Sequence, residues 1–222
     1  MCWNFHIIIS TTFGSGSEVT RISVLKIDGK KKSFHDDGLF ADIAIIDSHF
    51  LENSNEQIIK NSAIDACAQC TEAYNSTISN LYTKFLCNTA FDLLEEGILK
   101  QNFERLVIGS LVDGLGFGNA STTLGHALSY VYSNEGISHG HALAFTTLVA
   151  HKFNNSPYYE RFSKLVKHLK FEQIILKQNL DDAAELILSD RKNLDCNPKP
   201  VSKSDIIFLL EKINQGKIFE SS

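Results

Sequence analysis

The chain has 222 residues, 43% of them hydrophobic, and a formal net charge of −5. That is enough for one large domain with a sizeable core, or for one domain plus a fragment. The mildly acidic balance and the lack of a basic stripe argue against nucleic-acid partners. No apolar run reaches the length of a membrane span, and the opening Met1-Cys-Trp-Asn-Phe-His-Ile-Ile-Ile9 lacks the basic flank and cleavage site of a secretory signal. Five cysteines, an odd number at irregular spacing, do not describe a disulfide framework, so a reducing, cytoplasmic setting is expected.

In chain order, residues 5–10 read as a short strand. A glycine-serine turn follows at Phe13-Gly-Ser-Gly-Ser-Glu18, and the β-branched residues 19–26 suggest a second strand. Asp28-Gly29 opens a turn, Lys30 to Lys32 reads as a solvated basic patch, and residues 42–46 read as a third strand. The first fifty residues are therefore expected to be β-rich. Beyond residue 56 the apolar residues recur at helical spacing over 57–74, 79–99, 101–112, 121–132, 140–152, 157–169, 172–188 and 204–214. Prolines 157, 198 and 200 all fall outside these helix interiors. The expected fold is a bundle of seven or eight helices behind a small β-rich lead.

Three constellations carry candidate chemistry. On the helix at 57–74, Asp65, Gln69 and Glu72 form a polar stripe at i, i+4 and i+7. It is either the solvated face of an amphipathic helix or part of a metal site. Downstream, Gly125 precedes His126 and Gly140 follows His139, with a polar loop from about Ser133 to Gly136 between them. Two helices joined there would bring both imidazoles to one site, where small neighbours let the backbone approach a metal or ligand. The other reading is two unrelated histidines, one packed and one capping. His141 reads as a pocket group or a partner to the ligands. Thr11-Thr-Phe-Gly-Ser-Gly-Ser-Glu18 would offer backbone N–H groups and hydroxyls to phosphate or ribose oxygens, or it merely reverses the chain. Cys67 and Cys70 form a C-x-x-C inside a helical pattern, which favours two small core residues over a redox pair.

Together these segments resemble the iron-containing (group III) alcohol dehydrogenase family. Thr11-Thr-Phe-Gly-Ser-Gly-Ser-Glu-Val-Thr20 is similar to its Thr-Thr-x-Gly-Thr-Gly-Ser-Glu-Val-Thr signature, and Ala41-Asp-Ile-Ala-Ile-Ile-Asp47 to its Pro-Asp-x-Ala-Ile-x-Asp-Pro strand. Ile64-Asp-Ala-Cys-Ala-Gln-Cys-Thr-Glu-Ala-Tyr74 resembles the helix carrying the first two metal ligands, and Gly125-His-Ala-Leu-Ser-Tyr130 and His139-Gly-His-Ala142 resemble the histidine segments. Asn197-Pro-Lys-Pro-Val-Ser-Lys-Ser-Asp205 resembles the family's ending.

The resemblance implies a mainly α fold. A helical bundle like the C-terminal domain of dehydroquinate synthase, residues 56–222, would follow a β-rich remnant of an α/β nucleotide-binding domain, residues 1–55. It implies NAD(P)-dependent, metal-assisted oxidation of a small alcohol or reduction of an aldehyde. Iron (Fe2+) or zinc would sit on Asp65, Gln69, His126 and His139, and Thr11, Thr12, Ser15 and Gly16 would line the cofactor. Gln69 stands where most members have histidine, and the His-Ala-Leu-Ser-Tyr run is similar to phosphonoacetaldehyde reductase-like members. Thr122 stands where many members have a ligand histidine, so His126 is either the ligand or its neighbour. The family's Gly-Gly-Gly-Ser domain does not precede Thr11, so the chain reads as truncated. Its lead strands are then expected to expose apolar faces such as Ile7, Ile9, Ile43 and Ile45 and to favour homo-oligomers. A non-catalytic remnant or a helical interaction module is the competing reading.

Overall fold

Helix α1 (Glu56–Asn75) explains most of the architecture. Its buried positions are mainly small: Ala63, Ala66, Cys67, Ala68, Cys70 and Ala73. Small side chains let neighbouring helices approach closely, and α1 packs against α2 (Leu81–Lys100), α3 (Phe103–Phe117) and α5 (His139–Asn154). Asn55 starts it by accepting the N–H of Gln57 on its side chain. Helices α2 and α3 form a tight hairpin, because Gln101 turns the chain in the left-handed region (φ 53°) and Asn102 caps α3. Helix α4 (Leu124–Asn134) pairs with α5 across the loop at Gly136. Helices α6 (Tyr159–Leu169), α7 (Leu180–Leu188), the single turn α8 (Arg191–Leu194) and α9 (Lys203–Asn214) complete the bundle.

The structure is a computed structural model that describes residues 5–27 and 30–219. Its lead holds two small sheets. Strands β1 (Ile7–Ser10) and β4 (Ile43–Ile46) run parallel, with Ile7 opposite Ile43. Strands β2 (Ile22–Ile27) and β3 (Lys30–His35) form an antiparallel pair, with Ile22 opposite His35. The fold is mainly helical with a small sheet content, as the sequence pattern predicts. On the β1–β4 pair, Ile7, Ile9, Ile43 and Ile45 are between 43% and 50% exposed, as expected for strands with one uncovered face. The expected Asp28-Gly29 turn lies outside the described residues, as do Met1 to Asn4 and the side chains of Lys30 to Lys32.

Three expectations are corrected. Residues 19–21 do not extend the second strand, because Ser17–Val19 forms a short 3-10 turn entered through Gly16 in the left-handed region (φ 58°). Residues 30–35 are a strand as well as a lysine-rich stretch; a run of lysines hides the alternation that betrays a strand. Residues 172–179 are not helical. Their backbone is held by side chains from elsewhere: Glu135 accepts the N–H groups of Lys177 and Gln178, Asn214 accepts that of Leu176, and the His141 ring donates to the Glu172 carbonyl. Ile174 and Leu176 point into the core with exposed Ile175 between them, a period of two. The helix begins only at Asn179, whose side chain accepts the N–H groups of Asp181 and Asp182.

The core holds one histidine with a consequence for stability. His151 is 2% exposed; its Nε2–H donates to Thr71 Oγ1 (2.8 Å), whose own hydrogen goes to the Cys67 carbonyl (2.6 Å). Burial lowers its pKa to about 4, with the charge of Glu72 opposing only in part. The unfolded chain protonates this residue near pH 6.5, whereas the fold holds it neutral. Its contribution is therefore fully present above the unfolded value and is lost as pH falls from about 6.5 towards 4. We expect a loss of about 3 kcal/mol over that interval. Urea unfolding of His151→Gln, which keeps a donor for Thr71, should show a correspondingly flatter dependence between pH 6.5 and 4; equal slopes would remove His151 as the cause.

Candidate metal centre

The polar stripe of α1 faces inward. Glu72 is 1% exposed and Gln69 8%, so the reading of a solvated face is overturned. Asp65 is half-buried, and its Oδ1 lies 3.7 Å from His126 Nε2 and 3.9 Å from His139 Nε2. One ligand atom from each of Asp65, His126 and His139 falls within 4.8 Å of the other two. The histidines are therefore not unrelated: their rings meet edge to face at 5.5 Å.

Each imidazole is oriented through its other nitrogen. His126 Nδ1 lies 2.7 Å from Glu72 Oε2, which directs Nε2 at Asp65. The same carboxylate accepts the backbone N–H groups of Thr123 (2.9 Å), Gly125 (2.5 Å) and His126 (3.3 Å). Those groups form the amino-terminal turn of α4, whose N-cap Thr123 makes no side-chain cap of its own. Glu72 thus caps a helix more than fifty residues away and fixes its first histidine in one step. Burial acts against the Glu72 carboxylate, yet His126 and the backbone donors hold its pKa below the usual range. Burial likewise acts against the His126 cation, and Glu72 with Asp65 outweighs it, raising the pKa to about 9. His139, first residue of α5, has Nδ1 at 3.4 Å from Ser129 Oγ, and Tyr130 stacks on its ring at 6.0 Å.

The glycines beside the histidines serve packing. A Cβ on Gly125 would strike the Glu72 carboxylate and the Thr147 backbone, and one on Gly140 would strike the Asn61 carbonyl. Both keep their helices against α1, which corrects the expectation that they let the backbone approach a ligand directly. His141 is also corrected. It leaves the constellation, leans on Phe145 and Phe171, and holds the Glu172 carbonyl at 2.6 Å. Thr122 donates to Asn193 Oδ1 (2.8 Å).

Gln69 connects this centre to the glycine-serine turn. With its nitrogen towards the acceptors, the amide donates to the Gly14 carbonyl (2.8 Å) and to Asp113 Oδ2 (2.7 Å). Gly14 (φ 101°) gives its own N–H to Ser110 Oγ (2.7 Å) and rests against the Ser62 backbone. That N–H is therefore not presented to solvent as the turn motif suggests. Thr11, Thr12 and Ser15 are exposed, while Gly16 is buried against Gly114. Asp113 is fully buried, and burial, reinforced by Asp65 and Glu18, pushes the pKa of its carboxyl well above the usual carboxylate range. Cys67 and Cys70 are fully buried with thiol pKa values raised by burial, which fits core residues and not a redox pair.

Glu72 belongs to the polar stripe that the sequence shows, but nothing in the stripe assigns it to His126 and the start of α4. Asp113 is singled out by no residue pattern.

The two-histidine, one-carboxylate donor set suits a divalent iron or zinc ion. Comparison with known proteins agrees with this chemistry. Residues 59–193 match the Fe-containing alcohol dehydrogenase family, C-terminal, and residues 5–48 match iron-containing alcohol dehydrogenase. The 4-hydroxybutyrate dehydrogenase of Clostridium kluyveri is 34% identical over 166 residues, covering 68% of this chain and 45% of its own. Long-chain-alcohol dehydrogenase 1 of Geobacillus thermodenitrificans is 33% identical over 147 residues, covering 62% of this chain and 37% of its own. The chain thus spans about half the length, or less, of these curated relatives. Among solved structures, the iron-containing alcohol dehydrogenase of Thermococcus thioreducens superposes with a TM-score of 0.84 at 24% identity, over 95% of this chain and 64% of that one. Sulfoacetaldehyde reductase of Bifidobacterium kashiwanohense in complex with NAD+ gives 0.83 at 22%, over 94% and 64%. The chain belongs to the iron-containing alcohol dehydrogenase family.

Proposed function

We propose that this chain carries the metal-binding half of an NAD(P)-dependent alcohol dehydrogenase or aldehyde reductase. The observation that carries the reading is the meeting of Asp65, His126 and His139 within 4.8 Å, each imidazole already oriented from behind. Asp65, His126 and His139 would hold iron or zinc, with Gln69 at the edge offering its amide oxygen. When bound, such an ion supplies a Lewis acid that lowers the pKa of an alcohol hydroxyl or polarises a carbonyl.

The chain's own residues would do the positioning. Glu72 would keep Nδ1 of His126 engaged, leaving Nε2 as the donor atom. Ser129 would do the same for His139. Tyr130, stacked on His139, would limit ring rotation. Thr11, Thr12, Ser15 and Gly16 would line the dinucleotide, and the Gln69 bridge to Gly14 would hold that turn in register with α1. A small alcohol or aldehyde is the substrate class. The hints to the substrate differ: the Clostridium relative is a 4-hydroxybutyrate dehydrogenase, and the His126-Ala-Leu-Ser-Tyr130 run is similar to phosphonoacetaldehyde reductases.

Titration with Co2+ or Fe2+, followed by calorimetry and visible absorption, tests the centre. One ion per chain is expected, with Asp65→Asn and His139→Ala weakening binding at least ~10-fold and His141→Gln leaving it unchanged. Unaltered affinity in both ligand variants would refute the site. Glu72→Gln addresses the residue behind the ligands. It sets an amide NH2 among four N–H donors, so we expect destabilisation of about 3 kcal/mol together with weaker metal binding. A variant as stable as the parent would show that the carboxylate does not hold α4.

A further inference from the structure

A second pocket shares a wall with the metal constellation. It has a volume of about 330 Å³ and lies between the β2–β3 hairpin, α4, the end of α7 and α8. That is within the size range of small-molecule sites. One side is apolar, formed by Val24, Ala127, Val131, Leu186 and Ile187. Tyr130 lines it too, and the same ring stacks on His139.

Polar groups gather at one end. Lys192 Nζ reaches Ser33 Oγ (3.2 Å) and His35 Nε2 (2.6 Å), so its partners are two neutral acceptors. An ammonium donating to Nε2 keeps the His35 ring neutral, and burial together with Lys192 lowers the pKa of that ring. Among the described residues Lys192 forms no ion pair. Asp190, the carboxylate that acts on it, is engaged by Asn193, which donates its backbone N–H (3.3 Å) and its side-chain Nδ2 (2.7 Å). A cation that makes no ion pair therefore stands at the polar end of a pocket, beside Asn134, Ser189, Asp190 and Asn193, with the apolar wall opposite. One cation with a hydroxyl matches one carboxylate, whereas a phosphate draws on several donors or a guanidinium fork. The apolar wall calls for a short alkyl chain.

We propose that this pocket binds a short-chain monocarboxylate, with the carboxylate on Lys192 and Ser33 and the alkyl chain against Val131 and Ile187. The site needs no metal, so it stands or falls separately from the metal reading.

Methyl-detected NMR titration of the metal-free chain with n-butyrate, n-butanol and inorganic phosphate tests it. Saturable shifts of Val131, Ile187 and Ala127 are expected with butyrate, at an affinity on the order of millimolar. Butanol should bind roughly tenfold more weakly, and so should butyrate to Lys192→Met, while Lys192→Arg retains binding. Raising the salt should weaken butyrate binding to the unaltered chain, a readout that needs no variant. Butanol or phosphate binding as well as butyrate, or salt-independent binding, would overturn the proposal. The ω-hydroxy acid of the same length separates two sources of the carboxylate. Shifts that extend to the His139 ring would assign the site to the far end of a substrate, and shifts confined to the pocket would assign it to a separate acid.

Discussion

The arrangement of the whole centre depends on one buried carboxylate. Glu72 leaves water completely, which is costly for an anion, and it is retained because four donors converge on it. Three are the backbone N–H groups that open α4, where the helix dipole favours negative charge. The fourth is the ring of His126. A single ion therefore joins α1 to α4, caps α4 at its amino end and fixes the orientation of an imidazole. Without it, three backbone N–H groups and the Nδ1 of a buried histidine would lose their partner.

Helix α1 is the surface on which every other part of the site is registered. Gly14 rests on Ser62, Gly140 on Asn61 and Gly125 on Glu72, so the glycine-serine turn, α5 and α4 all land within three turns of one helix. Each contact is so close that a methyl group would not fit. Asp65 and Gln69 lie in the same stretch. Asp65 meets the two histidines, and Gln69 reaches the turn and the buried Asp113. The metal side and the turn side of the centre are thus tied by two residues one helical turn apart.

Tyr130 gives the second pocket its relation to this centre. Its ring has one face on His139 and lines the apolar cavity beneath the β2–β3 hairpin. The hairpin contributes Val24 and Ser33 to that cavity, and Lys192 of α8 bridges to Ser33 and His35. The β-rich lead therefore walls a cavity together with the helical bundle. It also keeps an apolar ladder, Ile7, Ile9, Ile43 and Ile45, half exposed on its other sheet.

Sequence alone determined the mainly helical architecture, because apolar residues at a period near 3.6 survive whatever the helices pack against. It also put Asp65, His126 and His139 forward as candidate ligands, on the resemblance of their segments to those of a known family, since their spacing alone left a pair of unrelated histidines equally open. The tertiary structure decided the rest. Residues 172–179 follow a helical apolar pattern yet are extended, since Glu135, Asn214 and His141 capture their backbone from distant positions. His141, next door in sequence to a candidate ligand, turns away to that segment. The inward direction of the stripe, and with it the role of Glu72, follows from three helices closing over α1. Gln69 and Asp113 became partners only when α3 packed beside α1. Local pattern reports the period of burial along one element, whereas a hydrogen bond between residues fifty or more positions apart exists only once the packing of whole helices has placed both ends.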